Sequence, residues 1–202
     1  PARWLLVALG AGSLSVQLLL APAAVILAVT IGALPALFYG APIRGRRLRQ
    51  LPGVKPFFVA ASVAGAAVAV PALWSWSATQ QQPALPRVLA TTAVLFLLVL
   101  SNVCLFDLRD RVADARAGLR TIPVRLGVAG TRRFCLLLCL LLCLAAGLLV
   151  AVTVGPLRVP LLAAVLATVA GTTYLPANGG RLEYALIVDG VPVLLGVTIL
   201  LY

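Results

Sequence analysis

Three aspartates crowd one short stretch, Phe106-Asp107-Leu108-Arg109-Asp110-Arg111-Val112-Ala113-Asp114-Ala115-Arg116, out of five acidic residues in the whole chain. Continued as a helix at about 100° per residue, the stretch sets Asp110 about 60° and Asp114 about 20° from Asp107. All three then share one face. Carboxylates gathered this closely repel one another unless a cation joins them. Mg2+ takes few carboxylates directly and keeps positions open for phosphate oxygens. The spacing Asp-x-x-Asp-x-x-x-Asp therefore reads as a Mg2+–diphosphate holder. It also fits a solvated helix end whose acids offset their arginine neighbours. Arg109, Arg111 and Arg116 either neutralise phosphate charge or pair with lipid headgroups.

The elements that must position these acids are apolar. The 202 residues are 62% hydrophobic, with a mean hydropathy of +1.11. A soluble domain of this length could not hide so much apolar surface. Seven runs are each long enough to cross a hydrocarbon core: Trp4–Leu20, Pro22–Tyr39, Pro56–Trp74, Val88–Phe106, Phe134–Val154, Val159–Leu175 and Tyr184–Tyr202. They predict an all-α, polytopic transmembrane bundle of seven helices, forming a single domain over residues 1–202. The loops Gly40–Lys55 and Asp107–Arg133 carry the polar chemistry, and Ser75–Arg87 reads as a polar connection with Trp74 and Trp76 at the interface. Gly and Ala crowd the third run, which reads as close helix packing.

Net charge is +11, from fifteen Arg and one Lys. In a membrane chain such charge holds topology, not nucleic acid. With the N-terminus inside, all basic residues but Arg87 and Arg158 fall on the cytoplasmic side. The expectation is an integral, multi-pass protein of the plasma or inner membrane (if prokaryotic), with its site on the cytoplasmic face. No His is present, which excludes imidazole-assisted metal or haem sites. Cys135, Cys139 and Cys143 repeat along one helical stripe, where disulfides are geometrically poor; with Cys104 they read as small packing residues. Arg3 and the apolar run before Ala21-Pro22-Ala23-Ala24 imitate a signal peptide. The chain, however, starts at Pro1 inside a hydrophobic run and contains no Met, so we expect residues upstream to be missing.

The string Asp107 to Asp114, then Gly118, then Thr121-Ile122-Pro123-Val124-Arg125-Leu126-Gly127 resembles the second aspartate-rich motif of the UbiA prenyltransferase superfamily. That pattern runs D-x-x-D-x-x-x-D, a glycine, then T-[LI]-P-V-x-[LF]-G. Tyr39-Gly40-Ala41-Pro42 with the basic run Arg44 to Lys55 looks like the tyrosine, proline and basic loop closing an earlier family helix. Glu183-Tyr184 leading into Asp189-Gly190 looks like the start of the last one. The resemblance maps the seven runs onto helices three to nine of a nine-helix fold.

It implies an intramembrane enzyme that moves an isoprenyl group from its diphosphate to a lipophilic, typically aromatic, acceptor, with Mg2+ holding the diphosphate. It implies Asp107, Asp110 and Asp114 as metal ligands, Arg44, Arg47 and Lys55 as diphosphate contacts beside Arg116, and Tyr39 as a wall of the site. Asp189 is an acid inside the membrane, and such acids are functional by default; it either contacts the acceptor or metal, or bonds a neighbouring Ser or Thr. The family's first aspartate-rich motif has no counterpart, because no Asp or Glu precedes Asp107. Truncation accounts for this; a non-catalytic membrane protein derived from the same fold is the rival reading. A retinal protein is excluded, since the only Lys is Lys55, outside the last run. A CDP-alcohol phosphotransferase needs acids after Asp114 that the loop lacks.

Overall fold

A computed structural model describes residues 12, 15, 19–30, 42–43, 46–47, 53–82, 84–152 and 158–174. Four helices have defined bounds: α1 (Val54–Thr79), α2 (Leu85–Arg116), α3 (Ile122–Val152) and α4 (Arg158–Tyr174). Residues 23–30 are also helical. Among the described residues three helices, α1 to α3, are long and apolar enough to cross a membrane, not seven. The runs Trp4–Leu20 and Tyr184–Tyr202 fall largely or wholly outside the described residues. The described residues also hold a two-residue antiparallel pairing, β1 (Pro42–Ile43) with β2 (Arg46–Arg47).

Helices overrun the expected loops at both ends. The connection expected over Ser75–Arg87 shrinks to residues 80–84, because α1 continues to Thr79 and α2 begins at Leu85. Of the loop expected over Asp107–Arg133, only residues 117–121 lie between α2 and α3. The reason is that Arg and Ala sustain a helix in water as readily as Leu does, and they outnumber the weaker helix former Asp in this stretch. At 1.5 Å per residue the 32 residues of α2 span about 48 Å, well beyond the roughly 30 Å hydrocarbon core. Its last turns, carrying the aspartates, therefore project past the apolar run. Lys55, expected in a loop, stands in the first turn of α1. Pro56 is tolerated there because the first amides of a helix lack partners anyway.

α2 is the central helix, packed between α1 and α3 and touching α4. Ala60, Ala64 and Val68 form a buried stripe on α1 at a spacing of four, so the small residues serve close packing here. Farther along, Ala69 and Ala72 instead line an apolar cleft with Leu73, Trp76, Leu85 and Val88. One core cluster joins Ala60 to Leu100, Cys104 and Leu105 of α2 and to Cys135 and Leu138 of α3. A second joins Ala90, Val94 and Leu98 to Leu142 and Leu149 of α3 and Val165 of α4. Leu136, Leu137, Leu140, Leu144 and Leu148 face outward, as a lipid-facing surface requires. The packing role expected of the cysteines holds for Cys104, Cys135 and Cys139, which are buried; Cys143 is exposed. Cys139 Sγ lies 3.6 Å from Thr172 Oγ1 of α4.

Candidate active site

Two glycines shape the turn beyond the aspartates. α2 ends at Arg116, and Gly118 takes a positive φ of 71°. Its N–H donates to Ala115 O at 3.1 Å and the Leu119 N–H donates to Asp114 O at 2.9 Å. This pair of bonds is a Schellman motif, which closes the carbonyl end of a helix and requires a residue without a Cβ penalty. Inside α3, Gly127 has φ 69° and ψ −177°, a break in the helix. Thr131 Oγ1 donates to the Gly127 carbonyl at 2.7 Å across the break. The glycine and the T-x-P-x-x-x-G string are thus the hinges that turn the chain from α2 into α3.

Asp114 opposes the macrodipole of α2. A carboxylate in the last turn of a helix meets its negative end, at a cost of about 0.3–1 kcal/mol at an exposed position. A chain selected only to fold would place arginine there, as it does at Arg116. Asp107 meets a more favourable neighbour, the N-terminal turn of α1. Lys55 Nζ of that turn donates to Asp107 Oδ1 at 2.5 Å. Asp107 is buried, with only 2% of its surface exposed, whereas the Lys55 side chain is 36% exposed.

The three acids have different surroundings. Asp107 Oδ2 and Asp114 Oδ2 are buried and accept no hydrogen bond among the described residues. Asp110 is held by its neighbour: Arg109 Nε donates to Oδ1 at 2.9 Å and a terminal guanidinium nitrogen to Oδ2 at 3.2 Å. The same guanidinium lies 5.3 Å from the centroid of the Phe106 ring. Among the described residues no three acid or cysteine side chains converge closely enough to form a metal-binding group. The expected shared face is present, but the side chains are not drawn to one point.

Of the other expected site residues that are described with their side chains, Lys55 and Arg116, the fold brings Lys55 to the aspartates. Arg116 is exposed at the end of α2. Arg47 lies in β2. Tyr39, Arg44 and Asp189 lie outside the described residues. Thr121, a motif letter in the sequence, has a buried hydroxyl that makes no hydrogen bond among the described residues. Its place directly before α3, five residues past Arg116, was the available signal.

The model of the UbiA prenyltransferase family matches residues 1–177. The chain belongs to this family. Prenyl transfer in a membrane is therefore the kind of activity it implies. The match ends before Glu183 and Asp189, so it does not carry the likeness read at the last run. No curated protein and no solved structure matches the chain.

The donor set suits the divalent cation that the second aspartate motif implies. Asp107 Oδ2 and Asp114 Oδ2 are hard carboxylate oxygens, shielded from water and without a donor among the described residues. Mg2+ needs only one or two carboxylates when phosphates and waters complete its shell.

Proposed function

We propose that this protein transfers a prenyl group from an isoprenyl diphosphate to a lipophilic, aromatic acceptor within the bilayer. In this reading Asp107, Asp110 and Asp114 hold Mg2+ on the cytoplasmic face. The observation that carries it is the pair of buried oxygens, Asp107 Oδ2 and Asp114 Oδ2, without a hydrogen-bond donor among the described residues, on a carboxylate face that Lys55 meets at Asp107 Oδ1.

Mg2+, when bound, supplies charge that stabilises the departing diphosphate. The chain's own residues do the rest. Lys55, Arg44, Arg47 and Arg116 are cations on the segments flanking the acids, and positive groups aimed at a leaving group lower the barrier to its departure. The allylic C–O bond breaks with its electron pair leaving on the diphosphate. The acceptor then captures the carbon cation and loses a proton. A helical, lipid-embedded enclosure keeps water from capturing that cation first. Tyr39 serves as a wall of this enclosure and Asp189 as a contact to the acceptor.

One feature favours the rival reading, a non-catalytic protein derived from the same fold: Asp107 is already neutralised by Lys55. The test uses the full-length protein in lipid nanodiscs, prenyl diphosphates of graded length and a panel of aromatic lipid acceptors. Mass spectrometry should find a prenylated product that disappears with EDTA and in Asp107→Asn and Asp114→Asn. No product and no diphosphate release under any combination would favour the non-catalytic protein.

A further inference from the structure

The chain uses arginine for fifteen of its sixteen cations, and its single lysine is the one in contact with the buried aspartate. The two cations differ in a relevant way. Arginine is a planar fork that locks onto a carboxylate with parallel bonds, while lysine is a point charge on a rotatable four-carbon stem. We propose that Lys55 is a resident counter-ion that yields Asp107 to the metal and moves to the diphosphate, so that the site takes metal and diphosphate together and metal alone poorly. This inference rests on the prenyltransferase reading.

Asp107 is almost fully enclosed, and a buried carboxylate needs a countercharge. Lys55 supplies it at Oδ1, leaving Oδ2 without a donor among the described residues. A divalent cation arriving at the same carboxylate would stand within a few ångströms of the ammonium. Like charges at that distance in a poorly solvated site exclude one another, so metal binding requires Lys55 to withdraw. It can, because its side chain is 36% exposed and its stem can pivot toward the open side. A diphosphate gives the displaced ammonium a new anionic partner. Metal and diphosphate then favour each other's binding, and such coupling is reciprocal.

The experiment measures binding on the full-length protein in nanodiscs. Mn2+ serves as the metal probe, read by electron paramagnetic resonance, and a non-cleavable farnesyl thiolodiphosphate as the anion, read by calorimetry at fixed Mn2+. Lys55→Gln should bind Mn2+ alone about tenfold tighter than the native protein, within the usual range for coupled sites. It should bind the thiolodiphosphate about tenfold more weakly, because the ammonium that would pair with the anion is gone. Lys55→Arg keeps the charge and should retain the weak affinity for Mn2+ alone. Unchanged Mn2+ affinity in Lys55→Gln, or equal gains in both variants, overturns the counter-ion role while leaving the prenyltransferase reading standing. Native protein that binds no Mn2+ with or without the thiolodiphosphate overturns both. Should Lys55→Gln not fold, 15N-labelled lysine in the native protein decides. The Lys55 ammonium signal must move on adding Mg2+ with thiolodiphosphate, and an unmoved signal overturns the proposal.

Discussion

Arg109 grips both carboxylate oxygens of its sequence neighbour Asp110, at 2.9 and 3.2 Å, while lying over the Phe106 ring. The pair sits at the outer edge of the site, with the Asp110 side chain 47% exposed. Exposed ion pairs of this kind contribute about 0–1 kcal/mol, so Arg109 can release Asp110 at little cost. Asp110→Asn should therefore leave insertion and thermal stability close to native, with a change below about 1 kcal/mol, yet remove Mg2+-dependent prenyl transfer. Thermal unfolding in detergent and a transfer assay on the same preparation check the two halves. Full activity in Asp110→Asn would remove this residue from the metal site.

The Lys55–Asp107 pair predicts an asymmetry. Lys55→Ala strands a buried carboxylate, and breaking a buried pair in this way costs about 3–5 kcal/mol. Asp107→Ala strands an ammonium that is already a third exposed and can turn to water, so its loss should stay near the 1 kcal/mol of a surface pair. The double change Lys55→Met/Asp107→Leu should recover most of the larger loss, because a well-packed apolar pair replaces a buried ionic one at little cost. Equilibrium unfolding in mixed micelles measures all three. Equal losses from the two single changes would contradict the burial difference.

Glycine substitutions separate the hinges from ordinary helix. Gly127, at φ 69° and ψ −177°, occupies a region open essentially to glycine alone, and Gly127→Ala should cost about 1–3 kcal/mol. Gly118→Ala, at a left-handed φ of 71°, should cost about 1–2 kcal/mol. Gly147 lies within α3, and a Cβ there would meet nothing within 4 Å. Gly147→Ala should be stabilising, by about 0.5–1 kcal/mol. The same unfolding assay reads the opposite signs; a destabilised Gly147→Ala would show that the comparison is governed by lipid contact, not backbone conformation.

Much of the site was legible along the chain. The helical phase of Asp107, Asp110 and Asp114 depends only on their spacing, and α2 does continue through them to Arg116. The Gly118 and Thr121–Gly127 string marked the turn, because a helix end needs a residue free of Cβ strain and that need is local. Loop lengths were overestimated at Ser75–Arg87 and Asp107–Arg133. Hydropathy locates where lipid ends, and a helix need not end there. Lys55 was named as a diphosphate contact from its place in a basic run, with no hint that it would meet Asp107.

By itself the chain determined its solvent and where its acids gather: apolar runs that demand a bilayer, and acids phased onto one face where the oil stops. Both follow from relations between residues a few positions apart. Only the tertiary structure decided that Asp107 turns inward to Lys55 across 52 residues, while Asp110 turns to Arg109 beside it. The physical reason is that nearly uniform faces of Ala, Leu and Val say little about which side of one helix packs on the next. That choice is made by close fit between helices, and it determines which carboxylate is buried and which cation reaches it.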